Sequence, residues 1–232
     1  MRLEKIGPYC IDLYLTDTNQ SVCYAMFVTD LPAANTRERI LNVAADLIRS
    51  RGFGATRVDE ICNVAGVSKG AFFHYFDSKE AMGVAVATYW RELIERLFAN
   101  AAYHTIEDPA EKLIAYVDFR KAILDRSIAA FTCLVGTMVA ETYASHPTIR
   151  AACADTIDDH ALSLVDTITD AMAQHKVSGH TPESLAMFIH GTLQGAFVLA
   201  KAHNDVALAH ACLDHLRTYL VGMFFTPTLE VR

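Results

Sequence analysis

Helical periodicity constrains this chain more than any other feature. From Ile40 almost to the C-terminus, apolar residues recur three and four positions apart, which places them on one face of an α-helix. No stretch sustains the alternation of apolar and polar residues that indicates a half-buried strand. Because 52% of the 232 residues are hydrophobic, the chain can also fill a substantial core. We therefore predict an all-α protein.

Start and stop signals divide this periodic region. Asn35, Ser68 and Ser78 are expected N-caps, Thr56 is expected to cap a short second helix, and Gly66 supplies the break that a tight turn needs. Short helices around a glycine turn are typical of a helix-turn-helix, so we predict a three-helix unit over residues 35–80. The later breaks predict a larger helical body over 81–232, with helices at 109–125, 131–145, 147–176, 182–203 and 205–225.

The charge distribution limits where a nucleic acid could bind. The net charge of −7 argues against binding over the whole surface, so any contact with DNA must be local. Residues 35–80 contain seven Lys and Arg against six Asp and Glu, which leaves the remaining sequence clearly acidic. We call residues 35–80 the head and residues 81–232 the body. The charges predict a nearly neutral head and an acidic body.

Cysteine and histidine spacing indicates no metal and no disulfide framework. The six cysteines form no CxxC pair and no zinc-ligand pattern, which is typical of free thiols in a reducing compartment. His210 and His215 are five residues apart, off the spacing that would place them on one helix face. The apolar stretch Ala186–Ala200 contains His190 and Gln194 and is too short to span a bilayer, and no secretion signal is evident. We expect a soluble, cytoplasmic protein without metal, cofactor or membrane.

One short run carries a specific resemblance. The sequence from Gly66 to Glu80, GVSKGAFFHYFDSKE, resembles the recognition-helix signature of the TetR family of transcriptional regulators, GVSxGxxYxHFxSKEEL. The resemblance covers about residues 35–95 strongly, and the body matches only in its helix layout. It implies a DNA-binding domain over 35–80 and a ligand-binding and dimerisation domain over 81–232. Phe73 departs from the family's usual tyrosine and lacks the hydroxyl that could reach a phosphate.

The expected DNA contacts lie on and around the third helix. Lys69 can donate to guanine or to phosphate, and Ala71 can touch a thymine methyl group. Thr56 and Lys79 stand at helix N-termini, which favour phosphate, so we expect them to hold the DNA backbone on either side. Phe72 and Phe76 are expected in the core. The predicted DNA-binding residues are Thr56, Arg57, Ser68, Lys69, Gly70, Ala71, Phe73, His74, Tyr75 and Lys79.

In the family, the helices behind the DNA-binding unit enclose a cavity for an inducer. An apolar set with a few polar groups suits such a cavity, and the candidates here are Trp90, Phe98, Tyr116, Phe119, Cys133, Thr137, Met138, Glu141 and Phe188. The segment from Cys133 to Glu141 also resembles the branch that includes the N-ethylmaleimide-responsive repressors. That resemblance implies a thiol sensor at Cys133, and a nearby Lys201 would favour its reactive thiolate. A buried, inert cysteine is the alternative.

The last two helices are expected to form a homodimer. Gly191 and Gly195, four residues apart, allow a partner helix to approach closely. The candidate interface residues are Leu185, Gly191, Gly195, Leu199, Leu208, Cys212, His215, Leu216 and Tyr219. A two-fold dimer presents two recognition helices and so predicts an inverted-repeat operator in double-stranded DNA. Packing of these helices within the monomer alone is the other interpretation.

Residues 1–34 differ in character from the rest and are assigned no domain. Met26 leaves two interpretations open, a flexible arm or a true start at that residue. A third hypothesis is that the stretch is a translated operator. Its codons can spell ACAGAC and GTCTGT, an inverted repeat, at Thr16, Asp17, Gln20, Ser21 and Val22.

Three functions remain in competition. The first is a repressor released from its operator by a small molecule or by a thiol-reactive electrophile. The second is a thiol enzyme that uses Cys133 with a histidine base, although the sequence has no matching catalytic spacing. The third is a helical interaction module without affinity for DNA. We expect no catalytic residues.

Overall fold

A computed structural model describes residues 35–124 and 127–225, and the regular elements of this part of the chain are all helical. The all-α prediction is confirmed. The hypotheses on residues 1–34 lie outside the described residues. The helices are α1 Thr36–Arg51, α2 Val58–Ala65, α3 Lys69–Tyr75, α4 Lys79–Ala99, α5 Pro109–Ala122, α6 Ile128–Phe131, α7 Leu134–Thr142, α8 Pro147–Leu162, α9 Val165–Gln174, α10 Pro182–His203 and α11 Val206–Phe225, with a 3₁₀ turn at Ala102–Thr105.

Local capping explains where the first helices begin. The side chains of Asn35, Ser68 and Ser78 each accept a hydrogen bond from the first turn of the helix that follows, at 3.0, 3.1 and 3.0 Å. These three predicted caps are confirmed. The predicted cap at Thr56 is wrong, because Arg57 occupies the N-cap of α2 without a side-chain bond.

The turn between α2 and α3 depends on a glycine. Gly66 has φ +63°, in the left-handed region, and its N–H donates to Asn63 O. The next N–H, of Val67, donates to Cys62 O at 3.0 Å, which completes a Schellman-type helix end. Phe72 is fully buried, and Val67 packs against the same core. This apolar contact fixes the angle at which α3 leaves the turn.

Two apolar cores share one long helix. The core beneath α1 to α3 also takes in Met82, Val86 and Trp90 from α4, together with residues of α7 and α8. The second core is built mainly from α5, α9, α10 and α11, and Phe98 near the end of α4 belongs to it. The predicted domain division at residue 80 therefore falls inside α4, which joins the head to the body.

Two predicted helices are divided in the structure. The helix expected over 131–145 is interrupted by extended backbone at Thr132 and Cys133, and Cys133 caps α7. The helix expected over 147–176 breaks without a proline at Ser163 and Leu164, where the Leu164 N–H bonds three residues back to Ala161 O. Both breaks lie in apolar sequence, which is why pattern alone did not reveal them.

Helix α10 is long and apolar enough, by length and composition, to cross a membrane. It has 22 residues and is therefore longer than the stretch Ala186–Ala200 that the sequence analysis judged too short to cross a bilayer. The core helix of a soluble protein passes the same test, and α10 packs against α8, α9 and α11 with one face buried.

Candidate DNA interface and ligand cavity

Helix α3 presents a polar and aromatic edge to solvent. Phe72 and Phe76 are buried beneath it, as predicted. Phe73 and Tyr75 are 48% and 40% exposed although both are large and aromatic, and His74 beside them is exposed as well. Of the predicted base-contacting residues at the start of the helix, Lys69 is exposed and Ala71 is partly exposed, and Ser68 and Gly70 beside them are exposed.

Lys69 is held by an ion pair with the preceding helix. Its Nζ lies 2.7 Å from Asp59 Oδ1, and both side chains are well exposed. The hydrogen bond to Asp59 raises the pKa of Lys69. Because exposed ion pairs contribute little net free energy, a phosphate or a guanine edge can replace Asp59 at small cost.

The two residues expected to hold the DNA backbone are engaged within the protein. Thr56 is fully buried, and its Oγ1 donates to Gly52 O at 2.7 Å. Its side chain therefore cannot contact DNA in this conformation, and the prediction is corrected. Lys79 Nζ lies 4.4 Å from the Phe53 ring centroid and donates to Gly54 O at 3.2 Å. Burial lowers the pKa of Lys79.

Three polar residues link the body to the head. Thr137 and Glu141 were expected in the cavity, and Lys201 was expected near Cys133. Glu141 Oε2 accepts a hydrogen bond from Gly54 N at 2.8 Å. Lys201 Nζ donates to Thr137 Oγ1 at 2.8 Å and to Arg49 O, at the end of α1, at 3.3 Å. We call Thr137, Glu141 and Lys201 the head–body contact. None of the three lines the cavity.

The body contains a cavity of about 310 Å³. Trp90, Phe98 and Cys133 line it, as the sequence predicted. Tyr116 is buried just behind it, with its hydroxyl 3.2 Å from His160 Nε2. Phe119 packs edge-on against Phe98. Neither Tyr116 nor Phe119 lines the cavity, so both predictions are corrected.

Two further cavity predictions are corrected by the packing. Met138 is fully buried in the core of the head, away from the cavity. Phe188 is 47% exposed and packs on Tyr219, with ring centroids 5.1 Å apart.

Sequence reasoning missed the polar groups of the cavity. Arg120, His160, His190 and Gln194 all line it. Arg120 Nη1 lies 3.3 Å from His160 Nε2, and Gln194 Nε2 lies 3.0 Å from His190 Nε2. The sequence signal that could have identified Arg120 and His190 is their position, because each is a polar residue on an otherwise apolar helix face.

Both histidines are held in the neutral form. Burial, with a contribution from the positive charge of Arg120, lowers the pKa of His160 well below its usual value. The same causes lower the pKa of His190 to about 4. Arginine keeps its charge under all such conditions. At neutral pH the positive charge on this cluster is therefore carried by Arg120.

Cys133 lies where the cavity meets the head–body contact. It lines the cavity and caps α7, with its Sγ 3.5 Å from Gly136 N. The positive charge of Lys201 interacts electrostatically with it. Cys62, Cys133, Cys153 and Cys212 are all free thiols.

The outer face of α10 and α11 is apolar and uncovered. Gly191 and Gly195 are exposed, and a Cβ added at either would meet open space. Val198 and Leu199 continue this face, at 64% and 44% exposure. The other exposed or partly exposed members are Met187, Phe188, Leu208, Cys212, His215 and Tyr219. We call this set the α10–α11 face.

Two residues predicted for that interface point the other way. Leu185 and Leu216 are 3% and 2% exposed and belong to the core of their own chain. Both lie on the buried face of their helix, and the spacing of apolar residues did not distinguish that face from the uncovered one.

Known protein families match both the head and the body of the chain. Residues 40–86 match the family described as bacterial regulatory proteins, tetR family, and residues 109–215 match the C-terminal domain described as transcriptional regulator LmrA/YxaF-like. The repressor NemR of Escherichia coli is 43% identical over 70 residues, 30% of this chain and 31% of NemR. An uncharacterised HTH-type regulator of Lactococcus lactis is 24% identical over 184 residues, 79% of this chain and 92% of that protein.

Solved structures have the same fold. A TetR-family regulator from Agrobacterium tumefaciens matches with a TM-score of 0.70 at 22% identity, over 79% of this chain and 96% of that one. The reduced form of Escherichia coli NemR matches with a TM-score of 0.63 at 24% identity, over 84% and 100% of the two chains.

Proposed function

Since the chain belongs to the TetR family of DNA-binding transcriptional regulators, we propose that it is a cytoplasmic, homodimeric repressor that a small molecule releases from an inverted-repeat operator. The observation that carries the proposal is the position of α4. This helix begins at Lys79, four residues after α3 ends, and further along it Trp90 and Phe98 line the cavity. A molecule in the cavity therefore touches the helix that follows the recognition helix and packs on α1 in the core of the head.

We propose DNA contacts only for those predicted residues that are exposed or partly exposed. They are Arg57, Ser68, Lys69, Gly70, Ala71, Phe73, His74 and Tyr75. Lys79 contributes by fixing the Phe53–Gly54 turn, because its ammonium group is engaged there. Release follows when a ligand stabilises a conformation in which two recognition helices no longer fit successive major grooves.

The α10–α11 face supports the dimer. Exposed apolar side chains around two glycines give a surface against which the same face of a second copy can pack. A two-fold pairing of this kind presents two copies of α3, which is why we propose an inverted-repeat operator.

A gel-shift titration on the gene's upstream region tests DNA binding. We expect binding that weakens steeply as salt rises and that drops at least tenfold in Lys69→Ala. Lys112→Ala, a lysine of α5 in the body, is the matched control and should bind as the wild type does. A duplex with ACAGAC and GTCTGT half-sites serves as one probe. Equal affinity for random duplex would refute the repressor and favour the helical interaction module.

A thiol-reactive electrophile is a second candidate signal, because Cys133 lines the cavity beside Lys201. We expect N-ethylmaleimide to release DNA from the wild type and not from Cys133→Ser. Cys212→Ser removes a thiol that belongs to the α10–α11 face and lies outside the cavity lining; relative to its own DNA binding before treatment, this variant should be released as the wild type is. Equal release from wild type and Cys133→Ser would show that Cys133 is not the sensor.

A further inference from the structure

We infer that the ligand of the cavity is a small monocarboxylate, held by Arg120. This inference rests on the proposed ligand-released function and names the chemical class of the ligand. The starting observation is that Arg120 is only 7% exposed and lines the cavity. Within residues 35–124 and 127–225, no carboxylate forms an ion pair with it.

The contacts of Arg120 support its side chain without neutralising it. Its guanidinium carbon lies 5.2 Å from the Phe98 ring centroid and 5.6 Å from that of Phe197, so the group lies between two aromatic rings. Its Nη1 contacts His160 Nε2, and its Nε is buried without a hydrogen-bond partner. A buried cation that cannot lose its proton favours an anion beside it.

A second unpartnered group belongs to His190, which also lines the cavity. With Gln194 donating its amide N–H to His190 Nε2 at 3.0 Å, the neutral ring carries its proton on Nδ1. That Nδ1 is buried and has no hydrogen-bond partner. Arg120 Nε and His190 Nδ1 are therefore two buried donors without acceptors. A carboxylate has two oxygens that can accept from such donors.

The remaining lining sets the size and charge of the ligand. Ile94, Leu97 and Phe131 form apolar walls, and about 310 Å³ lies at the small end of ligand pockets. Glu95 and Asp159 also line the cavity, and Arg91 pairs with Asp159 at 2.8 Å. Among the described residues that line the cavity, Arg120 is the one Lys or Arg without an acidic partner. A single cation beside these acids suits a single negative charge and disfavours a phosphate or a dicarboxylate.

The chain's one tryptophan provides a direct test. Trp90 lines the cavity, so its fluorescence reports occupancy without DNA. The probes are cyclohexanecarboxylate and hexanoate, each compared with its neutral amide. We expect each acid to bind the full-length protein at least tenfold more tightly than its amide. Arg120→Met should abolish that preference, and Arg120→Lys should retain part of it.

Two controls keep the result interpretable. Arg96→Gln removes an arginine of α4 that pairs with Glu92 and lies outside the cavity lining, and it should leave the preference for acids unchanged. Melting temperatures without ligand show whether each variant is folded, and the ligand-induced rise in melting temperature gives a second measure of binding. A parallel gel shift without ligand tests the repressor function separately.

Several outcomes would overturn the inference. They are amides that bind as tightly as acids, no response to any of the four probes, and an unchanged preference for acids in folded Arg120→Met. Loss of the preference in Arg96→Gln would show that the preference does not depend on Arg120 specifically and would also overturn it. Failure of the gel shift alone would refute the repressor and leave carboxylate binding standing.

Discussion

Glu141 of α7 accepts a hydrogen bond from the backbone N–H of Gly54, 2.8 Å away, across 87 residues of sequence. The contact fastens the body to the turn that precedes α2. Gly52 in the same turn has φ +93°, and a Cβ there would collide with the Glu141 carboxylate. The turn is thus shaped to receive this side chain.

Removing that carboxylate should loosen the head. We expect Glu141→Ala to lower the free energy of unfolding by about 1 kcal/mol, because Gly54 N–H loses a charged acceptor at an exposed site. Urea denaturation measures the change. Glu107→Ala, at an exposed glutamate in the loop before α5, should leave stability unchanged, and a loss of equal size there would show that the Gly54 contact is not responsible.

The α2–α3 turn should not accept a side chain at Gly66. Its φ of +63° costs a residue with a Cβ about 1 kcal/mol, so Gly66→Ala should lower stability by that amount and weaken operator binding. Thermal denaturation and gel shift give the two values. Asn63→Ala, on the exposed side of α2, serves as the control. Unchanged DNA binding in Gly66→Ala would argue against a fixed geometry of the turn.

The buried histidines predict a loss of stability in acid. The unfolded state binds a proton at His190 below about pH 6.5, whereas the folded state does so only near pH 4. Stability from this group is complete above pH 6.5 and falls as the pH approaches 4, by up to about 3 kcal/mol. His160 acts in the same direction.

Urea denaturation between pH 7 and pH 4.5 measures this slope. His190→Asn should flatten it, while His180→Asn, which changes an exposed histidine, should not. A wild-type stability that is constant over this range would contradict burial of neutral histidines.

A charge on the α10–α11 face should separate the dimer. Val198 is 64% exposed in the single chain, and Val198→Asp would place a carboxylate in the proposed apolar interface. We expect a folded monomer by light scattering and circular dichroism, with operator affinity reduced at least tenfold. Leu162→Asp, at an exposed leucine of α8, should remain dimeric. A dimeric Val198→Asp would refute this interface.

Sequence reasoning succeeded where structure is determined within a few residues. The caps at Asn35, Ser68 and Ser78 and the turn at Gly66 each depend on neighbours within four residues. The predicted cap at Thr56 also depended on neighbouring residues, and it was wrong because a threonine before a helix can also turn inward and donate to a carbonyl.

The cavity chemistry could not be read from the sequence in the same way. Arg120 and His160 meet across 40 residues, and Tyr116 and His160 across 44. Periodicity identifies which face of a helix is buried and does not identify which buried faces meet. The same ambiguity placed Thr137 and Glu141 in the cavity, although Glu141 bonds to Gly54 of the head and Thr137 bonds to Lys201.

The sharing of α4 between two cores also bears on how this regulator can diversify. Met82 and Val86 belong to the core that also holds Phe72 of the recognition helix, and Phe98 lines the cavity. A change of cavity shape made through α4 would also disturb the seating of α3. New ligand preferences are therefore expected to arise first by substitution on α5, whose buried apolar residues all belong to the second core, so that operator recognition is preserved.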